Sequence, residues 1–146
     1  MIVNESEGQG PEEIRKVVSL LFRSAKTDVK LSTALTTDLI NGARPEMEAA
    51  ITRVKSFDVW LDSRVDVAEK KDQFPWLLDN KKVGVFKSRV PIPHWIIIDG
   101  RDFRIEKPHA PTEFPRKNMT IIDCRPDIAE ELIRQFKEFC ANSDPV

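Results

Sequence analysis

The chain has 146 residues, the size of one compact domain, of which 40% are apolar and 32% charged. Its formal net charge of −1 gives no overall pull toward nucleic acid or a membrane surface. No apolar run approaches the roughly 18 residues of a membrane-crossing helix, and the polar start lacks the apolar stretch of a signal peptide. A soluble, cytoplasmic domain over residues 11–146 is therefore expected, behind a flexible N-terminal segment of residues 1–10.

Cys124 and Cys140 do not make a disulfide framework, which needs more cysteines in a smaller chain. They also lack the close spacing and neighbouring histidines of a metal site. Two reduced thiols are expected, with no metal and no cofactor.

Pro11 suits a first helical turn, and Ile14, Val17, Val18, Leu21 and Phe22 share one face, so a helix runs from about Pro11 to Ser24. Val29, Leu31 and Thr33 alternate with Lys30 and Ser32 as a strand does. Gly42 breaks the chain. Met47, Ala50, Ile51 and Val54 predict a helix from about Pro45 to Lys55, and Phe57 to Leu61 predicts a short strand. Residues 65–80 are less regular, with Phe74, Trp76, Leu77 and Leu78 as the buried end of a third helix. Val83 to Phe86 is another strand.

Trp95 to Ile98 is an unbroken apolar run, which fits a central strand covered on both faces. Asp99-Gly100 ends it with a tight-turn dipeptide. Phe103 and Ile105 return on the next strand. Pro108, Pro111 and Pro115 mark a loop, and Met119 to Ile122 forms the last expected strand. Ile128, Leu132, Phe136 and Phe139 predict a closing helix from about Pro126 to Ala141. This order predicts the α/β class: a mixed β-sheet flanked by helices on both faces.

That order, with the segment Ile92-Pro93-His94-Trp95-Ile96-Ile97-Ile98-Asp99-Gly100, resembles a half-unit of the phospholipase D superfamily. Each half-unit of that family carries H-x-K-x-x-x-x-D on an apolar strand, with a G-S-x-N-like element after it. The resemblance spans Glu12 to about Ala141. It sets Asp99 on the family's aspartate, Ile92 on its catalytic histidine and His94 on its lysine. Downstream, Glu106 and Lys107 fall on the glycine and serine, and His109 on the asparagine. The frame is kept and most of the chemistry is not. In the family one histidine forms a phosphoenzyme and another, from a partner half-unit, protonates the leaving group. An isoleucine offers neither a lone pair nor a titratable proton.

The residues also carry a reading of their own. If the strands of Trp95 and Phe103 pair through the Asp99-Gly100 turn, His94 and Lys107 lie at matching distances from it, with His109 close by. One lysine and two imidazoles together could hold a phosphate or carboxylate. Equally, His109 could be a plain loop residue, Lys107 a solvated one and Asp99 simply a turn former. Residues 81–117 hold nine Lys or Arg against four Asp or Glu, which suits a polyanionic ligand or nucleic acid. The alternation of Lys82, Lys87, Arg89 and Arg104 with apolar residues is also what the outer face of a half-exposed sheet would show. Trp60, Trp76 and Trp95 are expected in the core.

The expected function is a non-catalytic phospholipase D-like module, a regulatory or anion-binding domain. The resemblance extends to sensor domains of archaeal transcriptional regulators, which keep the fold and lose the catalytic residues. The candidate ligand-binding residues are His94, Asp99, Lys107 and His109, and no catalytic residue is assigned. Family sites lie between two half-units, so a two-fold homodimer is expected through the edge of the hairpin from Ile92 to His109, with Glu106 as the nearest acidic counter-residue. The ligand would be phosphate-containing or a nucleic acid, and no membrane is implied. Two alternatives remain: a divergent phosphodiesterase or nuclease using His94 or His109, and an unrelated α/β domain matching by accident.

Overall fold

The computed structural model describes residues 2–5, 11–106 and 118–146. The chain runs β1 (Ile2–Glu5), α1 (Pro11–Ser24), β2 (Asp28–Thr33), α2 (Thr37–Gly42), α3 (Arg44–Arg53), β3 (Ser56–Leu61), α4 (Val67–Gln73), α5 (Pro75–Leu78), β4 (Val83–Ser88), β5 (Ile96–Ile98), β6 (Asp102–Glu106), β7 (Asn118–Ile121), α6 (Pro126–Cys140) and β8 (Ser143–Pro145). The strands form one eight-stranded sheet in the order β1-β7-β6-β5-β2-β3-β4-β8. Helical crossovers make β2, β3 and β4 parallel, and the short connection from β5 to β6 makes that pair antiparallel.

Ile96–Ile98 is an interior strand between β2 and β6, and all three side chains are buried. Alternation sends them to opposite faces. Ile96 and Ile98 join the core under α1, α3 and α5, with Val18, Phe22, Met47, Ile51 and Leu77. Ile97 joins a second core under α6, with Trp95, Phe103 and Phe136. The two layers follow from the sequence: α6 lays Ala129, Phe136 and Cys140 onto the sheet, while α3 presents Met47, Ala50 and Ile51 to the other face. Each such large side chain contributes about 1.5–3 kcal/mol by burial. The expected α/β layering is met, and Trp95 is buried as expected, while Trp60 and Trp76 are half-buried.

Several boundaries differ from expectation. Residues 2–5, expected within a flexible lead, pair antiparallel with β7 through their backbone. Four residues are too few for periodicity to show. A separate helix, α2, ends at Gly42. Pro75 splits the irregular stretch into α4 and α5, because proline cannot donate within a continuing helix. Asn118–Ile121 is not the last strand, since β8 adds itself to the free edge of β4. Its Pro145 lacks an N–H, which only an edge strand tolerates. No helix among the described residues is long and apolar enough to cross a membrane.

Candidate functional site

Parallel strands end together, and the segments at their carboxyl ends meet there. β3 ends at Leu61 and is followed by Asp62; β2 ends at Thr33. Because β5 is antiparallel to β2, its entry at His94 and Trp95 lies at this same end. The β5–β6 register pairs Ile96 with Arg104, which brings Glu106 across from His94. Ser32, almost fully buried, fixes the entry: its hydroxyl accepts from the Trp95 N–H at 2.8 Å and donates to the Pro93 carbonyl at 2.8 Å.

The result is a compact polar centre of Asp62, Arg64, His94 and Glu106. Asp62 is fully buried. Its carboxylate accepts from His94 Nε2 at 2.9 Å, from Arg64 Nη2 at 2.6 Å and from the Arg64 backbone N–H at 3.1 Å. Burial alone would raise its pKa, but the hydrogen bonds from His94 and Arg64 outweigh it and hold the carboxyl far below the usual range. Asp62 is thus ionised and accepts, so the shared hydrogen sits on His94 Nε2. Glu106 Oε1 lies 3.8 Å from the other ring nitrogen. Asp62 raises the Arg64 pKa first through its hydrogen bond, and Glu106 adds to this through space. The Arg64 side chain is 43% exposed and forms the open side of the centre.

Asp99 is elsewhere. It follows β5 and lies five residues beyond His94, about 17 Å along an extended chain. Asp99 and Gly100 both have positive φ, 56° and 63°, and Arg101 N–H donates to the Ile98 carbonyl at 3.0 Å, so the expected tight turn is present. The Asp99 carboxylate accepts from the backbone N–H groups of Lys26 at 3.0 Å, Thr27 at 2.8 Å and Asp28 at 3.0 Å, and from the Thr27 hydroxyl at 3.0 Å. Burial works against ionisation here too, and these donors overcome it to lower the pKa. Asp99 therefore ties the entry of β2 to the β5 turn. The fold does not bring His94 and Asp99 together.

Lys107 and His109 lie outside the described residues. Ile92 is buried, with 3% of its surface exposed. Among the described residues of the basic run expected over 81–117, Arg101 pairs with Asp102 at 3.1 Å, Arg104 is buried, and Lys81 and Lys82 precede β4, three strands along the sheet from β5. Among the described residues, the β5 and β6 strands of the hairpin are flanked in the sheet by β2 and β7.

Sequence reasoning missed Asp62 and Arg64. The available signal was a charged Asp-Ser-Arg step directly after an apolar strand, where an aspartate folds back on the amide two residues on. Among the described residues, no group of three or more His, Cys, Asp or Glu is placed to hold a metal.

A mixed sheet with one core on each face, and a polar centre at the carboxyl ends of its parallel strands, defines an α/β domain of a recognisable type. Its fold is phospholipase D-like. Nuc from Salmonella typhimurium, a phospholipase D family member, superposes with a TM-score of 0.66 at 16% identity, covering all of this chain and 96% of Nuc. NucT from Helicobacter pylori matches with a TM-score of 0.70 at 10% identity, covering 100% and 99%. TrmBL2, an archaeal chromatin protein described as showing a novel mode of DNA binding, matches with a TM-score of 0.70 at 11% identity. This chain spans 54% of the TrmBL2 chain. No family model and no curated protein sequence matches the chain. These likenesses establish the fold, and an accidental match on an unrelated α/β architecture is set aside.

Proposed function

We propose that this chain is a non-catalytic module on the phospholipase D-like fold, acting in a regulatory role by binding a phosphate-bearing ligand. One observation carries the reading. A buried Ile92 stands where the resemblance puts the nucleophile, and the imidazole two residues on, His94, donates to Asp62 and faces Glu106. Histidine held in this way is a structural member of a charged cluster. The ligand would meet Arg64 at the open side of the centre, with Lys107 and His109 completing the grip. The outward donors of Arg64 supply the specificity.

The chain corresponds to one half-unit, and it acts as a homodimer that places two such centres near a two-fold axis. A mass in solution equal to the monomer at micromolar concentration contradicts this. The binding reading is tested by titrating the full chain with inorganic phosphate and with a phosphorylated mononucleotide. Affinity should fall in Arg64→Gln and in Lys107→Ala, and stay unchanged in Lys70→Ala. Equal affinity in all four proteins overturns it.

A second reading has one observation in its favour. A buried carboxylate orienting an imidazole is how a general base is held. On that reading His94 or His109 supports a divergent phosphodiesterase or nuclease.

A further inference from the structure

The opposite end of the sheet carries a different surface. Three loops enter the parallel strands there: residues 25–27 before β2, residues 54–55 before β3 and residues 79–82 before β4. They hold Lys26, Lys55, Lys81 and Lys82, all exposed, and one acid, Asp79. The strands are consecutive neighbours in the sheet, β2-β3-β4. The register pairs Asp28 with Ser56 and Phe57 with Val83. Lys55 N–H donates to the Thr27 carbonyl at 2.9 Å, which ties the first two loops together. Neighbouring strands are about 4.8 Å apart, so the four lysines form one short row along the rim.

Nothing nearby accounts for them. Among the described residues none of the four ammonium groups makes an ion pair. Arg23 and Arg53, at the ends of α1 and α3, are explained locally. Arg23 faces Glu46, and Arg53 donates to the carbonyls of Phe22, Arg23 and Ala25 at the end of α1. Asp28 is engaged by Lys30 and Ser56, and Asp99 by backbone amides. On a chain whose net charge is −1, four adjacent unpaired lysines are a local excess that self-repulsion disfavours.

We propose that this lysine rim is a docking site for the phosphate backbone of a nucleic acid, separate from the His94 centre. Lysine supplies point charges without planar, bidentate geometry, which suits phosphate contacts that carry no sequence preference. A membrane surface fits less well. Among the described residues, the exposed large apolar side chains, Leu20, Val90, Ile128 and Val146, all lie outside these loops, which offer none to insert.

The test uses the full chain and a labelled random-sequence DNA duplex of about 20 base pairs, at about 50 and 200 mM salt. Wild type should bind at low salt and lose about a hundredfold in affinity at the higher salt, the dependence expected for about four neutralised phosphates. The combined variant Lys26→Gln, Lys55→Gln, Lys81→Gln, Lys82→Gln should lose at least about tenfold at low salt and show a flatter salt dependence. A control with the same charge change elsewhere, Lys16→Gln, Lys71→Gln, Arg125→Gln, Lys137→Gln, should bind nearly as wild type does. Circular dichroism checks that both remain folded. No duplex binding by wild type overturns the proposal. So does equal loss in the two variants, or rim-dependent binding to phosphatidylserine vesicles without binding to the duplex. The combined rim variant should bind inorganic phosphate as wild type does, so this site and the centre at His94 fail or stand separately.

Discussion

Asp62 and His94 are separated by 32 positions in the chain and by 2.9 Å in the fold. The end of a parallel strand and the entry of an antiparallel one create that contact. Arg64 closes on the same carboxylate.

The pair gives a signed prediction. The folded pKa of Asp62 is depressed, so its contribution to stability is present above the unfolded value of about 3.9 and is lost as pH falls through the folded one. Asp62→Asn should flatten the loss of stability on acidification below about pH 4. Asp62→Ala should cost about 2–3 kcal/mol at neutral pH, since hydrogen bonds to a charged group are removed and His94 loses its acceptor. Urea unfolding at several pH values measures both. An unchanged acid limb in Asp62→Asn would show that the carboxylate is not ionised in this way.

Asp99 should behave as a clamp. Asp99→Ala leaves the amides of Lys26, Thr27 and Asp28 without their acceptor, and a cost of about 2–4 kcal/mol is expected. Asp99→Asn should recover part of it, because an amide oxygen still accepts. Phosphate affinity at the distant His94 centre should not change in Asp99→Asn. A selective loss of that affinity with stability intact would place Asp99 in the ligand site instead.

Gly84 lies under Asp58. A Cβ added there would fall 2.2 Å from Asp58 Oδ1. Gly84→Ala should therefore destabilise by about 1–3 kcal/mol. Asp58→Ala should relieve it, so the double variant costs less than the two single changes together. Strict additivity in denaturant melts would mean that Asp58 is not the obstacle.

Cys140 is buried, and burial raises its thiol pKa to about 12. At pH 8 its thiolate population is about a thousandfold below that of a free cysteine. Iodoacetamide should leave Cys140 unmodified in the native protein and label it readily in urea. Rapid native labelling, read by mass spectrometry, would contradict this.

The fold was largely legible in the chain and the centre was not, for identifiable reasons. Periodicity is strong where an element buries one face, so α1 and α6 could be read almost to the residue and Ile96–Ile98 stood out as interior. A short edge strand that buries little leaves no such trace, as β8 shows. His94 was legible as a rare residue beside an apolar strand. Its partners Asp62 and Arg64 were not, because crossover topology, not sequence distance, sets who meets at the carboxyl ends of parallel strands. Asp99 was legible as a turn residue, whereas its hold on three amides depends on the loop before β2 packing beneath it.

The most direct test of the non-catalytic account is turnover. Purified wild-type chain should be assayed with a fluorogenic phosphodiester and with single-stranded DNA, beside His94→Ala and His109→Ala. The account predicts no hydrolysis above the buffer blank in any of the three. Turnover by the wild type that disappears in either histidine variant would contradict it and establish a relocated catalytic imidazole.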